Sequence, residues 1–136
     1  MTVFVDTAVL MYAAGTEHPL REPCRRVLER VAAGELDAVI SVEVVQEIVH
    51  RYRAIGRGDL AAGVARDAMD LFAPVLPVTH AVVRRLPALL DRYPALAARD
   101  LIHVATCEHE GIEAIVSPDR GFDAVAGLRR IDPSEA

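Results

Sequence analysis

The sequence contains no tryptophan and no lysine, only two cysteines, and just 4% aromatic residues. With so few aromatic rings, the core has to be built from Val, Leu, Ile and Ala, which favours helices packed on a buried sheet over an aromatic-rich β-sandwich. Cys24 and Cys107 are too few and too far apart for a disulfide framework or a zinc site. Apolar residues predominate up to Ala14, but no basic segment precedes them and Asp6 interrupts them, so neither a signal peptide nor a membrane span is expected. The chain is therefore expected to be cytoplasmic. All 15 basic residues are arginines, and the net charge of −5 argues against a simple nucleic-acid sponge. Several arginines cluster, at Arg25–Arg26, Arg51–Arg53–Arg57, Arg84–Arg85 and Arg129–Arg130. Arginine suits bidentate contacts to phosphate, although solvated helix faces account for any single cluster equally well.

What is present is apolar and periodic. Hydrophobic residues make up 52% of 136 residues, enough to bury a core and consistent with a single domain over 1–136. Val3-Phe4-Val5 is a continuous apolar run, the pattern of a strand covered on both faces. A helix is expected from about Thr7 to Ala14, and another from Pro19 or Pro23 to near Gly34. Ala38-Val39-Ile40 reads as a second strand, after which Ser41 caps a helix from Val42 to about Ile55. A helix from about Asp59 to Phe72 leads to a short strand, Val75 to Val78, placed at an edge because it contains Pro77. Thr79 is expected to cap one helix running to Tyr93-Pro94, and a further helix spans about Ala97 to Glu110, where Gly111 stops it. Ala114-Ile115-Val116 is another strand, and Leu128 to Ile131 adds a possible last one. Strands alternating with helices, without hairpin signals, predict an α/β fold: a central parallel sheet of four to five strands flanked by helices.

In open parallel sheets the functional site lies beyond the carboxyl ends of the strands. Asp6 ends the first strand, Asp119 follows the strand at Ala114–Val116, Glu47 lies in the helix after the second strand, and Asp100 lies near the start of the helix leading into Ala114. Each has an ordinary explanation. Asp6 and Asp100 fit helix caps, Glu47 fits a pair with Arg51 one turn on, and Asp119 fits a proline-containing turn. Together they point elsewhere, because Asp6 follows an unbroken apolar run and Asp100 shares a largely inward face with His103, Val104 and Cys107. Buried carboxylates need a partner, a proton or a metal. Mg²⁺ or Mn²⁺ takes oxygen ligands, retains open positions and activates water against a phosphodiester. His103 is assigned to helix packing, His50 and His109 to the surface, the two cysteines to buried packing, and Met11 and Tyr12 to the core or a dimer contact.

Val3-Phe4-Val5-Asp6-Thr7-Ala8-Val9-Leu10, Val45-Gln46-Glu47-Ile48, Arg99 through Thr106, and Ser117-Pro118-Asp119-Arg120-Gly121-Phe122 together resemble the PIN-domain signature, in order and with comparable spacing. The similarity is greatest to VapC-type toxins and spans nearly the whole chain. It implies a magnesium- or manganese-dependent endoribonuclease, the toxin of a toxin–antitoxin pair, leaving 5′-phosphate and 3′-hydroxyl ends. It implies Asp6 and Asp100 as principal metal ligands, Glu47 and Asp119 completing the acidic site, and Thr7 and Ser117 steadying it by hydrogen bonds. Asp123 is a further acid, or a surface cap after Phe122. The resemblance also implies an RNA substrate, a homodimer, and a small antitoxin that blocks the site with its C-terminal segment. Ala8 and Pro118 stand where relatives often carry polar residues. The alternative is a binding module that keeps the fold without catalysis. A phosphatase using Asp6 as nucleophile needs an acid where Ala8 stands, and a phosphoacceptor receiver needs a lysine that the chain lacks.

Overall fold

The computed structural model describes residues 1–136. Strand β1 (Val3–Val5) runs directly into helix α1 (Thr7–Ala14), and α2 (Arg21–Ala32) returns the chain to β2 (Ala38–Val39). Helices α3 (Val42–Ala54), α4 (Gly58–Leu71), α5 (His80–Val83), α6 (Leu86–Arg92) and α7 (Ala98–Glu110) follow before β3 (Ala114–Val116). A 3₁₀ turn (Arg120–Ala124), β4 (Arg129–Ile131) and a second 3₁₀ turn (Pro133–Glu135) complete the chain.

The four strands form one parallel sheet in the order β2-β1-β3-β4, flanked by helices. Phe4 stands opposite Val39 on one side and Ile115 on the other, so β1 is central. Its burial on both faces explains why Val3-Phe4-Val5 carries no polar alternation: every residue of β1 and β3 is buried. Phe4, Phe122, Ile40, Ile48 and Ile115 are the largest fully buried side chains, and the rest of the core is mainly Val, Ala and Leu. Ser41 Oγ accepts from Glu43 N and starts α3, while Gly111 closes α7 in the left-handed conformation at φ 70°.

Two expectations are corrected. The edge strand predicted at Val75–Val78 shrinks to one bridge, in which Leu76 N donates to Ile40 O and Leu76 O accepts from Val42 N, both at 2.9 Å. Pro77 has no N–H to carry the ladder further. The single helix predicted from Thr79 to Tyr93 is divided into α5 and α6 around Arg84–Arg85. Pro87 is the cause: it cannot donate to a carbonyl four residues back, but it fits the first turn of a new helix.

The strand order reverses direction at β1, because β2 is laid on one side of it and β3 on the other. This switch opens a crevice at the carboxyl ends of β1 and β3, from which Asp6 and Ser117 emerge.

Candidate active site

Asp6 occupies the position before the first turn of α1, yet its carboxylate caps nothing. Its backbone N–H donates to Val116 O at 3.0 Å, extending the β1–β3 ladder and fixing the side chain at the switch point. The carboxylate is 5% exposed with its residue. Oδ2 accepts from Ser117 Oγ at 2.6 Å, and Oδ1 lies 3.6 Å from His103 Nε2. Ser117 Oγ in turn accepts from the Asp119 backbone N–H at 3.0 Å, so one buried hydroxyl bridges the ends of both central strands.

The second wall comes from α3 and α7. Glu47, buried on α3, accepts at Oε1 from His103 Nε2 at 2.8 Å and from Thr7 Oγ1 at 3.1 Å. Its Oε2 lies 3.3 Å from Arg99 Nε. The expected local pair with Arg51 is thus replaced by a tertiary pair with the first turn of α7. Asp100 lies in that same turn, half-buried, with His103 three residues on. One ligand atom from each of Asp6, Asp100 and His103 falls within 4.8 Å of the others.

The remaining acids are arranged differently. Asp119 is exposed, and its Oδ1 accepts from Gly121 N at 2.8 Å, a turn-forming contact. It remains close enough for its charge to act on Asp100. Asp123 lies outside the crevice and pairs with Arg130 at 2.8 Å.

Burial and mutual repulsion decide the protonation of this group. Burial raises Asp6, against the opposing pull of His103 and Ser117. Burial, and then the charge of Asp6, lift Asp100 to about 6. Burial also works to raise Glu47, but hydrogen bonds from His103 and Thr7 and the charge of Arg99 outweigh it and hold Glu47 low. For His103 burial favours the neutral ring, and the bond to Glu47 and the charge of Asp6 reverse that preference. The cluster is therefore short of positive charge, and protons fill part of the deficit. A divalent cation would fill it too: two carboxylates and the His103 ring are already gathered, and neither Asp6 nor Asp100 forms an ion pair with an arginine. The residues fit a divalent cation.

Sequence reasoning undervalued two residues. His103 does pack, with its ring 5.1 Å from that of Phe4, but it also joins Glu47 to Asp6. Glu43, one turn before Glu47, is half-buried and raised by burial and by the charge of Glu47. The signals were a histidine one turn from an acid on an inward face, and a second acid at helical spacing. His50 and His109 are exposed, and Cys24 and Cys107 are buried, as expected.

The sequence profile of the PIN domain matches residues 3–128. The chain belongs to the PIN-domain family. Among curated PIN-domain relatives, ribonuclease VapC13 of Mycobacterium tuberculosis is 36% identical over 129 residues, covering 95% of this chain and 98% of the relative. Ribonuclease VapC23 of the same organism is 38% identical over 120 residues, covering 86% and 92%. The fold is shared with a toxin–antitoxin complex from Klebsiella pneumoniae at a TM-score of 0.69, 19% identity, and coverage of 98% of this chain and 99% of that one. No helix of this PIN domain is long and apolar enough to cross a membrane.

Proposed function

We propose that this PIN domain is a divalent-metal-dependent endoribonuclease, the toxin of a toxin–antitoxin pair. The observation that carries the reading is the convergence of Asp6 and Asp100 with His103 in a crevice where neither aspartate has an arginine as ion-pair partner. Asp6 and Asp100 are the principal ligands for Mg²⁺ or Mn²⁺, with Glu47 and Asp119 completing the acidic site. When bound, such a cation supplies a nucleophilic water at neutral pH and offsets charge on the attacked phosphate. Ser117 holds Asp6 in place and Thr7 holds Glu47, so neither carboxylate has to reorganise as charge develops. His103 keeps Glu47 ionised and faces Asp6, orienting both from one ring. Water adds to phosphorus as the bond to the 3′ oxygen breaks; that oxygen takes up a proton, leaving a 3′-hydroxyl and a 5′-phosphate.

RNA as substrate rests on the names of the VapC relatives, and an antitoxin partner on the assembled state of the Klebsiella complex. A homodimer working in the cytoplasm completes the reading. Purified protein should cut a pool of structured RNAs into discrete products with Mg²⁺ or Mn²⁺ and not with EDTA, while Asp6→Asn should lose at least about a thousandfold in rate. Mn²⁺ should also raise the melting temperature of wild type but not of Asp6→Asn, because a preformed carboxylate site gains stability by binding. Cleavage in EDTA, or by Asp6→Asn at the wild-type rate, would sink the assignment.

A further inference from the structure

Asp119 differs from the other acids of the site in having no burial to hold it. Asp6 and Glu47 are enclosed by the core and Asp100 is half-buried on α7, whereas Asp119 is exposed on a loop. Its backbone is fixed by the bond from its N–H to Ser117 Oγ at 3.0 Å, which leaves the direction of the carboxylate to the residues that follow. Ordering an exposed side chain costs rotamer entropy, so a ligand held ready for a cation needs neighbours that exclude its other positions.

Two segments meet at this point. Residues 93–97 join α6 to α7, and Leu101 N donates to Ala97 O at 3.0 Å, so they lead directly into the turn that carries Arg99 and Asp100. Residues 119–126 hold Asp119, the first 3₁₀ turn and Ala126. The segments touch at both ends. At one end Tyr93 Oη accepts from the Ala126 backbone N–H at 3.0 Å, across 33 residues of sequence. The Tyr93 ring is itself held, half-buried against the core with the Arg92 guanidinium 5.2 Å over its face.

At the other end Leu96 closes on Gly121. A β-carbon on Gly121 would lie 3.1 Å from Asp119 Oδ1 and 3.3 Å from Leu96 Cδ2. Gly121 has no positive φ, so its backbone conformation does not call for glycine. Space does: the carboxylate and the leucine methyl occupy the two sides of its α-carbon, while Gly121 N donates to Asp119 Oδ1 at 2.8 Å. The same contacts that hold the two segments together therefore aim the Asp119 carboxylate, whose charge already acts on Asp100.

We infer that Tyr93 and Gly121 are positioning residues, a loop-to-loop clamp that fixes the Asp119 carboxylate relative to Asp100 and so sets how tightly the site holds its divalent cation. The inference rests on the reading of Asp119 as part of the metal site and names what keeps it there. Tyr93 holds the two segments in register, and Gly121 leaves the carboxylate its place. Losing a partner that orients a metal ligand typically weakens metal binding by about 10- to 100-fold.

The test measures Mn²⁺ binding by calorimetry, and RNA cleavage against Mn²⁺ concentration, for wild type, Asp6→Asn, Asp119→Asn, Tyr93→Phe and Gly121→Ala, and for the last two combined with Asp119→Asn. Tyr93→Phe and Gly121→Ala should each weaken Mn²⁺ binding by about tenfold and raise the Mn²⁺ needed for half-maximal cleavage by the same factor. Both should keep KM for RNA within about twofold and regain the wild-type kcat in saturating Mn²⁺. Neither should add to the loss in the Asp119→Asn background, since the group they position is gone; a merely structural role would add there in full. Full additivity, or Mn²⁺ affinity within about twofold of wild type in variants that melt like it in EDTA, would overturn the clamp. Should Gly121→Ala melt well below wild type, Tyr93→Phe decides alone. Asp119→Asn that binds Mn²⁺ like wild type overturns the clamp and leaves the nuclease standing, provided that Asp6→Asn neither binds nor cuts. Wild type that binds Mn²⁺ but cuts no RNA removes the ribonuclease reading alone, because the calorimetric comparison still decides the clamp. Wild type that binds no Mn²⁺ removes both.

Discussion

Two groups of charged side chains in this molecule use the same residue types to opposite ends. In the crevice, the side chains of Asp6, Glu47 and His103 are 7%, 5% and 0% exposed, and acids outnumber the bases that face them. Beside β4, Arg130 joins Asp123 at 2.8 Å and Asp132 at 3.6 Å, with the two acids 54% and 37% exposed. The outer acids keep their water. Asp132 is held below its ordinary value, first by Ser134 and then by Arg130. The inner acids lose their water, and Asp6 and Asp100 are driven the other way. Burial therefore changes what an aspartate does: outside it adds a small stabilising pair, whereas inside it stores an unmet demand for positive charge that a cation can answer.

That contrast is tested most severely by removing the one base buried among the inner acids. His103→Leu should destabilise the metal-free protein by about 3–5 kcal/mol in urea denaturation, since it leaves Glu47 and Asp6 buried without their shared partner. Mn²⁺ should restore part of the loss. If the variant were as stable as wild type, the inner group would be no more demanding than a surface pair.

Asp100→Asn sharpens the comparison in the opposite direction, because here removing a charge should help. The folded-state value of about 6 lies above the ordinary 3.8, so the folded protein binds the proton more tightly than the unfolded chain does. The resulting cost is absent at low pH, grows as pH rises from about 4 to about 6, and stays constant above that. The full shift would correspond to about 3 kcal/mol, but Asp100 is only half-buried and solvent screening reduces this to about 1 kcal/mol. In EDTA at neutral pH Asp100→Asn should melt a few degrees above wild type, about 3 °C for a chain of this size, and the gain should vanish near pH 4. A gain that persisted unchanged at pH 4 would mean that repulsion at Asp100 is not its source.

Much of the fold was legible because its signals are local. The unbroken run Val3-Phe4-Val5 announced a strand buried on both faces, Ser41 marked the start of α3, and Gly111 the end of α7. The elements misjudged were those where local and tertiary terms compete. Around Pro77 and Pro87 the apolar pattern continues but the backbone lacks an N–H, so a strand contracts to a bridge and one helix becomes two. At the site, the positions of the acids could be read from the ends of elements, but their partners could not. Glu47 has Arg51 at the helical spacing that favours a pair, yet α7 supplies Arg99 and His103 instead, the latter 56 residues away. The Ser117–Asp6 bond spans 111 residues and exists only because β1 and β3 are neighbours in the sheet. Distances of that kind are properties of topology.

The smallest expected effect belongs to the outer group, and its smallness is the point. Arg130→Met keeps most of the aliphatic stem of a side chain that is 12% exposed, while removing its charge and its donors. Asp123 and Asp132 can both be re-solvated, so the loss should be about 0.5–1 kcal/mol, and it should shrink further at about 1 M salt, where the screening length falls to about 3 Å. One contact keeps the substitution from being trivial: Arg130 Nη1 donates to Ser117 O at 3.0 Å, on the residue whose hydroxyl holds Asp6. Ser117 is also fixed by its own N–H to Ile131 O at 3.1 Å and by its bond to Asp6, so losing the arginine should leave the carboxylate in place. Metal-dependent cleavage by Arg130→Met should therefore stay within about twofold of wild type. A loss of tenfold or more with unchanged stability would show that the outer group reaches into the crevice through Ser117, and that the two clusters work as one.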